Sequence, residues 1–523
     1  MQGVLKCLAS RRVLFLLSAL CLALPFTFPA LFVLSFVGAA LLFAAAEQKP
    51  KKTELRSFFA SGFGFAFVYH LGVYHWLLAL HPLSVAGIYG LPSFLIVLLA
   101  YLGASAIHAL FFGLAFLLWG ALCRLTEKRA LRALLFGICL LFAEALTSVG
   151  ALAFPWARFS LPLAAAAPLL SAASLFGPVF CEALLLAVGA LLSRAAEKCE
   201  GKLTFRVLPL VLAGAILLSQ VVLYFLLPFV WGEGRRVTVA AVQTAYGFDE
   251  KWETSPSDIA EFLHKQTLLA AEAGAELVVF PESALSTTMM DGDASEEFFA
   301  SLSRESGVAI AAGSLYYVDG EYYNAVCLFD ENGLLSYNAK RHLVPFGEYL
   351  PWRSVFEAVL PAVSDMAYYR STLSVGDEAL CGEVCGITCG GLVCFDTLFS
   401  PLACASAKAG AELLVAPTND AWFKDSPAAK QHLMHGAWRA AECGTPLVQS
   451  ANNGISAVVD ARGRVLSSVP LGEGGFALAE VELCASPSLY AETGELVLPA
   501  CVLFVSGFVS ASFVRKLQRK GAR

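Results

Sequence analysis

The sequence predicts a two-part architecture: an α-helical membrane bundle of about eight spans, and an extracytoplasmic domain of layered α/β type. Three observations carry this. The 523 residues are 58% hydrophobic and only 15% charged, with a mean hydropathy of +0.67, whereas an ordinary soluble protein carries about 25% charged residues. The apolar runs concentrate in 1–230 and return at 496–514, while 235–490 shows the regular charges, Gly and Asn of a soluble domain. The cationic residues of the short connections fall on alternate loops. The expected division is therefore a transmembrane domain with seven spans at 1–230, a catalytic candidate domain at 235–490 and a C-terminal span at 496–514.

A helix that crosses a bilayer needs about 20 mostly apolar residues. The candidates are 13–27, 29–46, 57–79, 92–122, 133–150, 173–193, 207–229 and 496–514. Arg11 and Arg12 before the first apolar core imitate a signal peptide. A second span follows at once, however, and "CLALPFTFPALF" reads as a tight hairpin, so the first stretch is expected to stay.

Orientation follows from the loops. Lys6, Arg11 and Arg12 precede the first span. Lys49, Lys51, Lys52 and Arg56 fill the next connection on that side, followed by Arg124, Lys128, Arg129 and Arg132, then Arg194, Lys198, Lys202 and Arg206. The tail has Arg515, Lys516, Arg519, Lys520 and Arg523. The alternate loops 80–91 and 151–172 hold only Arg158. The positive-inside rule then puts both termini in the cytoplasm and residues 235–490, which follow the seventh span, outside it. The net charge of -6 singles out no partner. No basic stripe suggests nucleic acid.

Within 235–490, "RRVTVAAVQTAY" and "ELVVFPES" read as strands and "DIAEFLHKQTLLAAEAGA" as the helix between them. "GVAIAAGSLYYV" and "EYYNAVCLFDENGLLSYNAKRHLVP" supply further strands with an Asn332–Gly333 turn. After "GLVCFD" come a helix, a strand, another helix and a closing hairpin. Strands alternating with helices indicate a layered α/β domain.

Four cysteines lie close together: Cys381, Cys385, Cys389 and Cys394. Their spacing lacks the C-x2-C pairs of zinc sites and no His lies nearby, so no metal is expected. A disulfide among Cys381, Cys385 and Cys389 is compatible with an oxidising compartment. Cys394 differs, because it ends the apolar run "GGLV" much as Glu282 ends "VVFP" and Lys340 ends "LSYNA". Singly, each has an ordinary reading: a cap or ion pair, a solvated lysine, a small core residue. Together they form a chemical set. A thiol with a pKa near 8.5 is a poor nucleophile at neutral pH unless a base or cation activates it. Glu282 is placed to accept the proton. Lys340, with a backbone N–H near Phe395, is placed to hold a thiolate or an oxyanion.

On these residues the domain resembles the nitrilase, or carbon–nitrogen hydrolase, superfamily. The resemblance implies an αββα sandwich with a Glu, Lys, Cys triad. With its spans, the whole chain resembles the apolipoprotein N-acyltransferase family of the bacterial inner membrane. The motifs that carry this are "FPESAL", "KRHLVPFGEYLPW", "TNDAWF", "QHL" with "RAAECGTPLVQSANNGISAVVDARGRVL", and "FPW". The resemblance implies that Glu282 is the base, Lys340 the oxyanion residue and Cys394 the nucleophile. It implies that Glu348 supports them, that Trp252 contacts lipid, and that Trp422 and Phe423 form a substrate-binding aromatic pair near the active-site entrance. It further implies a monomer without cofactor. The acyl donor would be a phospholipid, phosphatidylethanolamine in particular, and the acceptor a diacylglyceryl apolipoprotein.

Three residues depart from the family pattern. Phe395 and Asp396 stand where Cys-Tyr-Glu is usual, and Lys424 stands where "NDAWFG" is expected. The triad itself leaves open an amide hydrolase, an acyltransferase for another amine, or a scaffold that has kept the fold. The apolar segment 354–363 is expected to pack or to dip into the membrane interface.

Overall fold

The computed structural model describes residues 10–48, 54–199, 202–231, 234–359, 373–377, 379, 381–484 and 486–521. Of the loop charges counted above, Lys6, Lys49, Lys51, Lys52 and Arg523 lie outside these residues, as does 360–363 of the 354–363 segment.

Each predicted span contains a helix: α1 (Arg11–Thr27), α2 (Val33–Glu47), α3 (Leu55–Tyr74), α4 (Gly90–Leu122), α5 (Arg129–Leu146), α6 (Pro178–Ala195), α7 (Val207–Trp231) and the C-terminal helix Val497–Gly521. Five stretches among the described residues are long and apolar enough to cross a membrane: Leu55–Leu80, Gly90–Leu125, Pro178–Ala195, Val207–Leu227 and Val497–Arg519. The other three fall short for local reasons. α1 and α2 have only 17 and 15 residues, because Phe28 and Pro29 close one helix early and a 3-10 turn opens the next. α5 carries Arg129, Arg132 and Glu144 within its 18 residues. The stretch expected at 173–193 is also broken, with a separate turn at Ala173–Phe176 before Gly177 and Pro178. On the longer helices Leu99, Val207, Leu218 and Leu503 face outward, as lipid-facing side chains do.

The second part is a sandwich of two sheets. One has the order β12–β1–β2–β3–β4–β5, from β1 (Arg236–Gln243), β2 (Leu277–Phe280), β3 (Ala309–Val318), β4 (Glu321–Asp330), β5 (Gly333–Ala339) and β12 (Gly475–Glu482). The short strand Thr288–Met290 adds to β3. The other has the order β11–β10–β9–β8–β7–β6, from β6 (Cys381–Val384), β7 (Ile387–Gly391), β8 (Leu413–Thr418), β9 (Leu447–Ala451), β10 (Ser456–Val459) and β11 (Val465–Val469). The pairs β1–β2, β2–β3, β7–β8 and β8–β9 are parallel.

Strand alternation dictates the layers. In β1, Val237, Val239 and Ala241 face the opposite sheet, where they meet Val415, Val448 and Val458. Ala240 and Val242 point the other way, onto α9 (Pro256–Glu272) and α10 (Ala294–Ser306) through Ile259, Leu263, Phe299 and Leu302. Leu414, Ala416 and Leu447 likewise meet α11 (Ser400–Lys408) and α12 (Ala428–Cys443). The result is the expected αββα order. The short helix α8 (Phe248–Glu253) follows β1 at the rim.

This alternation also decides the cysteine question. Cys389 lies in the inter-sheet core, Cys381 packs against the helical layer on the other face, and Cys385 is exposed at the turn between them. All three thiols are free.

Helix α12 joins the two parts. Gln431, His435 and Trp438 recur at i, i+4 and i+7, so they share one face. The Trp156 indole donates to Gln431, the His435 ring pairs with the Trp156 carbonyl at 3.3 Å, and the Trp438 indole donates to the Leu161 carbonyl at 3.1 Å. One apolar cluster consequently runs from Phe65 and Phe159 of the bundle to Phe395, Leu398 and Met434 of the sandwich.

Candidate active site

The structure brings Glu282, Lys340, Cys394, Glu348 and Asp396 together at the carboxyl ends of strands from both sheets. Glu282 lies just past β2, Lys340 just past β5, and Cys394 just past β7. Ligand sites of open α/β sheets favour this edge, where the chain leaves the sheet and side chains converge.

Two features force Glu282 inward. Ser283, next in the chain, has φ +49°, which turns the backbone sharply. Gly313 lies beneath, and a Cβ there would stand 2.5 Å from the Pro281 carbonyl oxygen and 2.7 Å from the Glu282 Cα. The backbone carbonyl of Glu282 accepts from Lys251 Nζ at 2.9 Å and from Asn452 Nδ2 at 2.7 Å. Its carboxylate accepts from Asn324 Nδ2 at 2.6 Å, and that same nitrogen lies 3.2 Å from Glu348 Oε1.

Lys340 is 1% exposed. Its ammonium donates to Glu348 Oε1 at 2.7 Å and stands 3.7 Å from Glu282 Oε1. Burial alone would discharge it, but Glu348, Glu282 and Cys394 outweigh that effect and hold its pKa above the ordinary lysine value. Glu348 is fixed in turn by the Val344 N–H at 2.8 Å.

Cys394 opens a 3-10 turn with φ +49°, a conformation that costs a non-glycine residue about 1–3 kcal/mol and clusters at functional sites. Burial pushes its thiol well up; Glu282 and Asp420 add to this, while Lys340 and the backbone N–H of Asn419 pull it down. At rest the sulfur is therefore a thiol, with a carboxylate and an ammonium both close enough to bias its ionisation.

The two departures beside Cys394 have structural explanations. Asp396 ties the site together: its carboxylate accepts from the N–H of His342 at 2.8 Å, Val393 at 3.2 Å and Arg341 at 3.3 Å. It locks the Lys340 loop to the Cys394 turn, and an aspartate is long enough for that. Phe395 is buried and stacks on Phe154 of the bundle at 6.0 Å and 19°.

The three aromatics expected to bind substrate have different surroundings. Trp252 is half exposed on α8. Trp422 packs on Phe248 with ring centroids 4.1 Å apart. Phe423 packs edge-on against Trp76 at 4.7 Å and Trp156 at 5.8 Å. The third departure, Lys424, adopts φ +46° and ψ −148°, a glycine-favouring conformation. Its ammonium donates to the His81 carbonyl at 2.7 Å.

Four further residues belong to the site but carried no sequence assignment: Asn324, Lys251, Asp420 and His432. Asn324 had a detectable signal, a lone amide among the Ala and Val of "EYYNAVC". Asp420 and His432 sit in the quoted motifs "TNDAWF" and "QHL", but only the fold brings them together. Lys251, fully buried, has its pKa pushed down to about 7, by burial first and against the pull of Glu282.

Comparison with known proteins identifies relatives of both parts of the chain. Residues 238–486 match the carbon-nitrogen hydrolase family, and residues 18–191 match the apolipoprotein N-acyltransferase N-terminal domain. The chain is 28% identical over 514 residues to the apolipoprotein N-acyltransferase of Geobacter metallireducens, covering 96% of this chain and 95% of that one. It is 31% identical over 469 residues to that of Gloeobacter violaceus, covering 88% and 85%. Among solved structures it aligns with Saccharomyces cerevisiae Nit3, a member of branch 10 of the nitrilase superfamily. That alignment has 20% identity and a TM-score of 0.38, over 48% of this chain and 91% of that chain.

Proposed function

This chain belongs to the apolipoprotein N-acyltransferase family, and on that premise we propose that Cys394 carries a fatty acyl group from a phospholipid to the α-amino group of a diacylglyceryl-cysteine. The chain is an acyltransferase. The observation that carries the residue assignment is the placement of Lys340, 2.7 Å from Glu348 and 3.7 Å from Glu282, within electrostatic range of the Cys394 sulfur.

The reaction runs in two halves. Glu282 takes the Cys394 proton as the sulfur adds to the ester carbonyl of the donor, for which phosphatidylethanolamine is the proposed lipid. Lys340, with the N–H near Phe395, holds the oxyanion. The carbon–oxygen bond then breaks, Glu282 returns the proton to the leaving oxygen, and lyso-phospholipid departs from a thioester. In the second half the acceptor amine adds to that thioester. Glu282 takes the amine proton and passes it to the departing sulfur, leaving an amide and the original thiol.

An aromatic run links the Cys394 turn to the helices: Phe395 follows Cys394, and Phe154, Trp156, Trp76 and Phe423 continue from it, largely buried. In this reading residues 1–230 and 496–514 hold the chain in the bacterial inner membrane as a monomer, with both termini cytoplasmic. Residues 235–490 then meet both lipid substrates on the outer face. The test is an N-acylation assay with a synthetic diacylglyceryl peptide and phosphatidylethanolamine. Wild type forms the amide and Cys394→Ala does not; equal product from both would refute the assignment.

A further inference from the structure

We infer that Asp420 and His432 form a buried ion pair that positions the nucleophile, the imidazolium of His432 clamping the backbone carbonyl of Cys394. The inference deepens the proposed function and rests on Cys394 being its nucleophile.

A proton count comes first. His432 Nδ1 lies 2.7 Å from Asp420 Oδ1, and Nε2 lies 3.1 Å from the Cys394 carbonyl oxygen and 2.8 Å from Thr397 Oγ1. The Thr397 hydroxyl has one proton, and it lies 2.8 Å from the same Cys394 carbonyl. A carbonyl oxygen only accepts. The hydroxyl proton can go to that carbonyl or to Nε2; the inferred ion pair takes the first arrangement, in which Nε2 donates to Thr397 Oγ1 and the carbonyl while Nδ1 donates to the carboxylate. Both ring nitrogens then carry hydrogen, and the ring is charged.

The surroundings suit a pair rather than a lone charge. His432 and Asp420 are 1% and 0% exposed, and an isolated buried ion would be costly. The Trp156 ring covers the imidazole at 5.9 Å. Gly454 makes room for the carboxylate, since a Cβ there would stand 2.6 Å from the Asp420 Cβ. The other charged or titratable groups acting on His432 are Glu282, across the site, and His435, on its own helix with Arg439 behind it.

What the pair holds is the strained residue. Cys394 keeps φ +49°, and its carbonyl takes two donors from one side, Thr397 and His432. Releasing that carbonyl lets the peptide relax and swings the sulfur away from Glu282. Asp420 lies on the far side of the ring, so the imidazolium is the nearer charge to the nucleophile turn and favours the thiolate as it forms.

The test uses the full chain in phosphatidylethanolamine nanodiscs. Two rates are measured against pH for wild type, His432→Gln and the double variant Asp420→Asn/His432→Gln. These are alkylation of Cys394 by iodoacetamide and formation of the acyl-enzyme in a single turnover. The double variant leaves no unpaired buried charge, which protects the test against simple misfolding. The alkylation midpoint should rise from wild type to the double variant to His432→Gln. Acylation in the double variant should slow roughly 10- to 100-fold at unchanged half-saturating lipid, the cost of a displaced nucleophile. Packing alone would not order the midpoints by charge. Equal midpoints and equal acylation rates overturn the inference. Ordered midpoints with no acyl-enzyme even in wild type support the pair and refute the acyl-transfer reading instead.

Discussion

Lys340 donates to Glu348 at 2.7 Å while standing a full ångström farther from Glu282. The asymmetry assigns different tasks to the two carboxylates. Glu348 is the tight counterion of the ammonium. Glu282, farther from the ammonium, is the carboxylate proposed to take the Cys394 proton. Replacing Glu348 with Gln should therefore pull Lys340 onto Glu282 and quench the base. Loss of general-base catalysis typically costs about 10²–10⁴-fold, so the acylation rate of Glu348→Gln should fall by at least about 10²-fold while the protein stays folded. An unchanged rate would show that Glu348 does not divide the work this way.

Gly313 should be irreplaceable for a backbone reason. A Cβ would meet the Pro281 oxygen at 2.5 Å, the Glu282 Cα at 2.7 Å and the Pro417 Cβ at 2.7 Å. None is the movable tip of a long side chain. Gly313→Ala should destabilise by about 1–3 kcal/mol through overpacking and displace the base. Thermal unfolding and the acylation rate would both register it, and a variant with native values in both would contradict the packing argument.

Asp396 should give the protein a particular pH dependence. Burial raises its carboxyl to about 6, with Lys340 and Arg341 opposing, from an ordinary 3.8. Between those values the folded state binds more proton than the unfolded one, so stability falls as pH rises. The contribution is complete below about pH 4 and gone above about pH 6. Melting temperatures recorded across that window should show a less negative slope for Asp396→Asn than for wild type. Parallel slopes would mean that Asp396 is ionised throughout.

At Lys424 the usual order of alanine and glycine should reverse. The conformation costs about 1–3 kcal/mol for a residue with a Cβ, whereas glycine gives back only about 0.4–1 kcal/mol through the freedom of its unfolded chain. Both substitutions remove the bond to the His81 carbonyl, so that loss cancels. Lys424→Gly should be more stable than Lys424→Ala by roughly 1 kcal/mol, measured by denaturant unfolding. Alanine proving the more stable would show that the backbone is not strained there.

Much of this was legible in the sequence because it is written in short-range patterns. Period-2 alternation in "RRVTVAAVQ" marked a strand buried on both faces. Glu282, Lys340 and Cys394 each announced a strand end by breaking an apolar run. What the chain could not disclose depends on register and on contacts remote in sequence. A disulfide among Cys381, Cys385 and Cys389 was compatible with the sequence, yet the pleat sends Cys381 and Cys389 to opposite faces of one sheet. Asp420 and His432 lie in separate motifs and meet only because β8 ends beside α12. The spans were easier to place than to bound. Their hydropathy is plain, but Pro29, Gly177 and the charges of α5 interrupt helices that composition alone would prolong.

The most direct measurement is intact-protein mass spectrometry of the enzyme incubated with phosphatidylethanolamine, beside Cys394→Ser. The account predicts a mass increase of one fatty acyl group on wild type alone, removed by hydroxylamine and discharged by a diacylglyceryl-cysteine peptide. Folded wild type that remains unmodified in the presence of lipid, or a hydroxylamine-labile adduct of equal yield on both proteins, would contradict a thioester at Cys394.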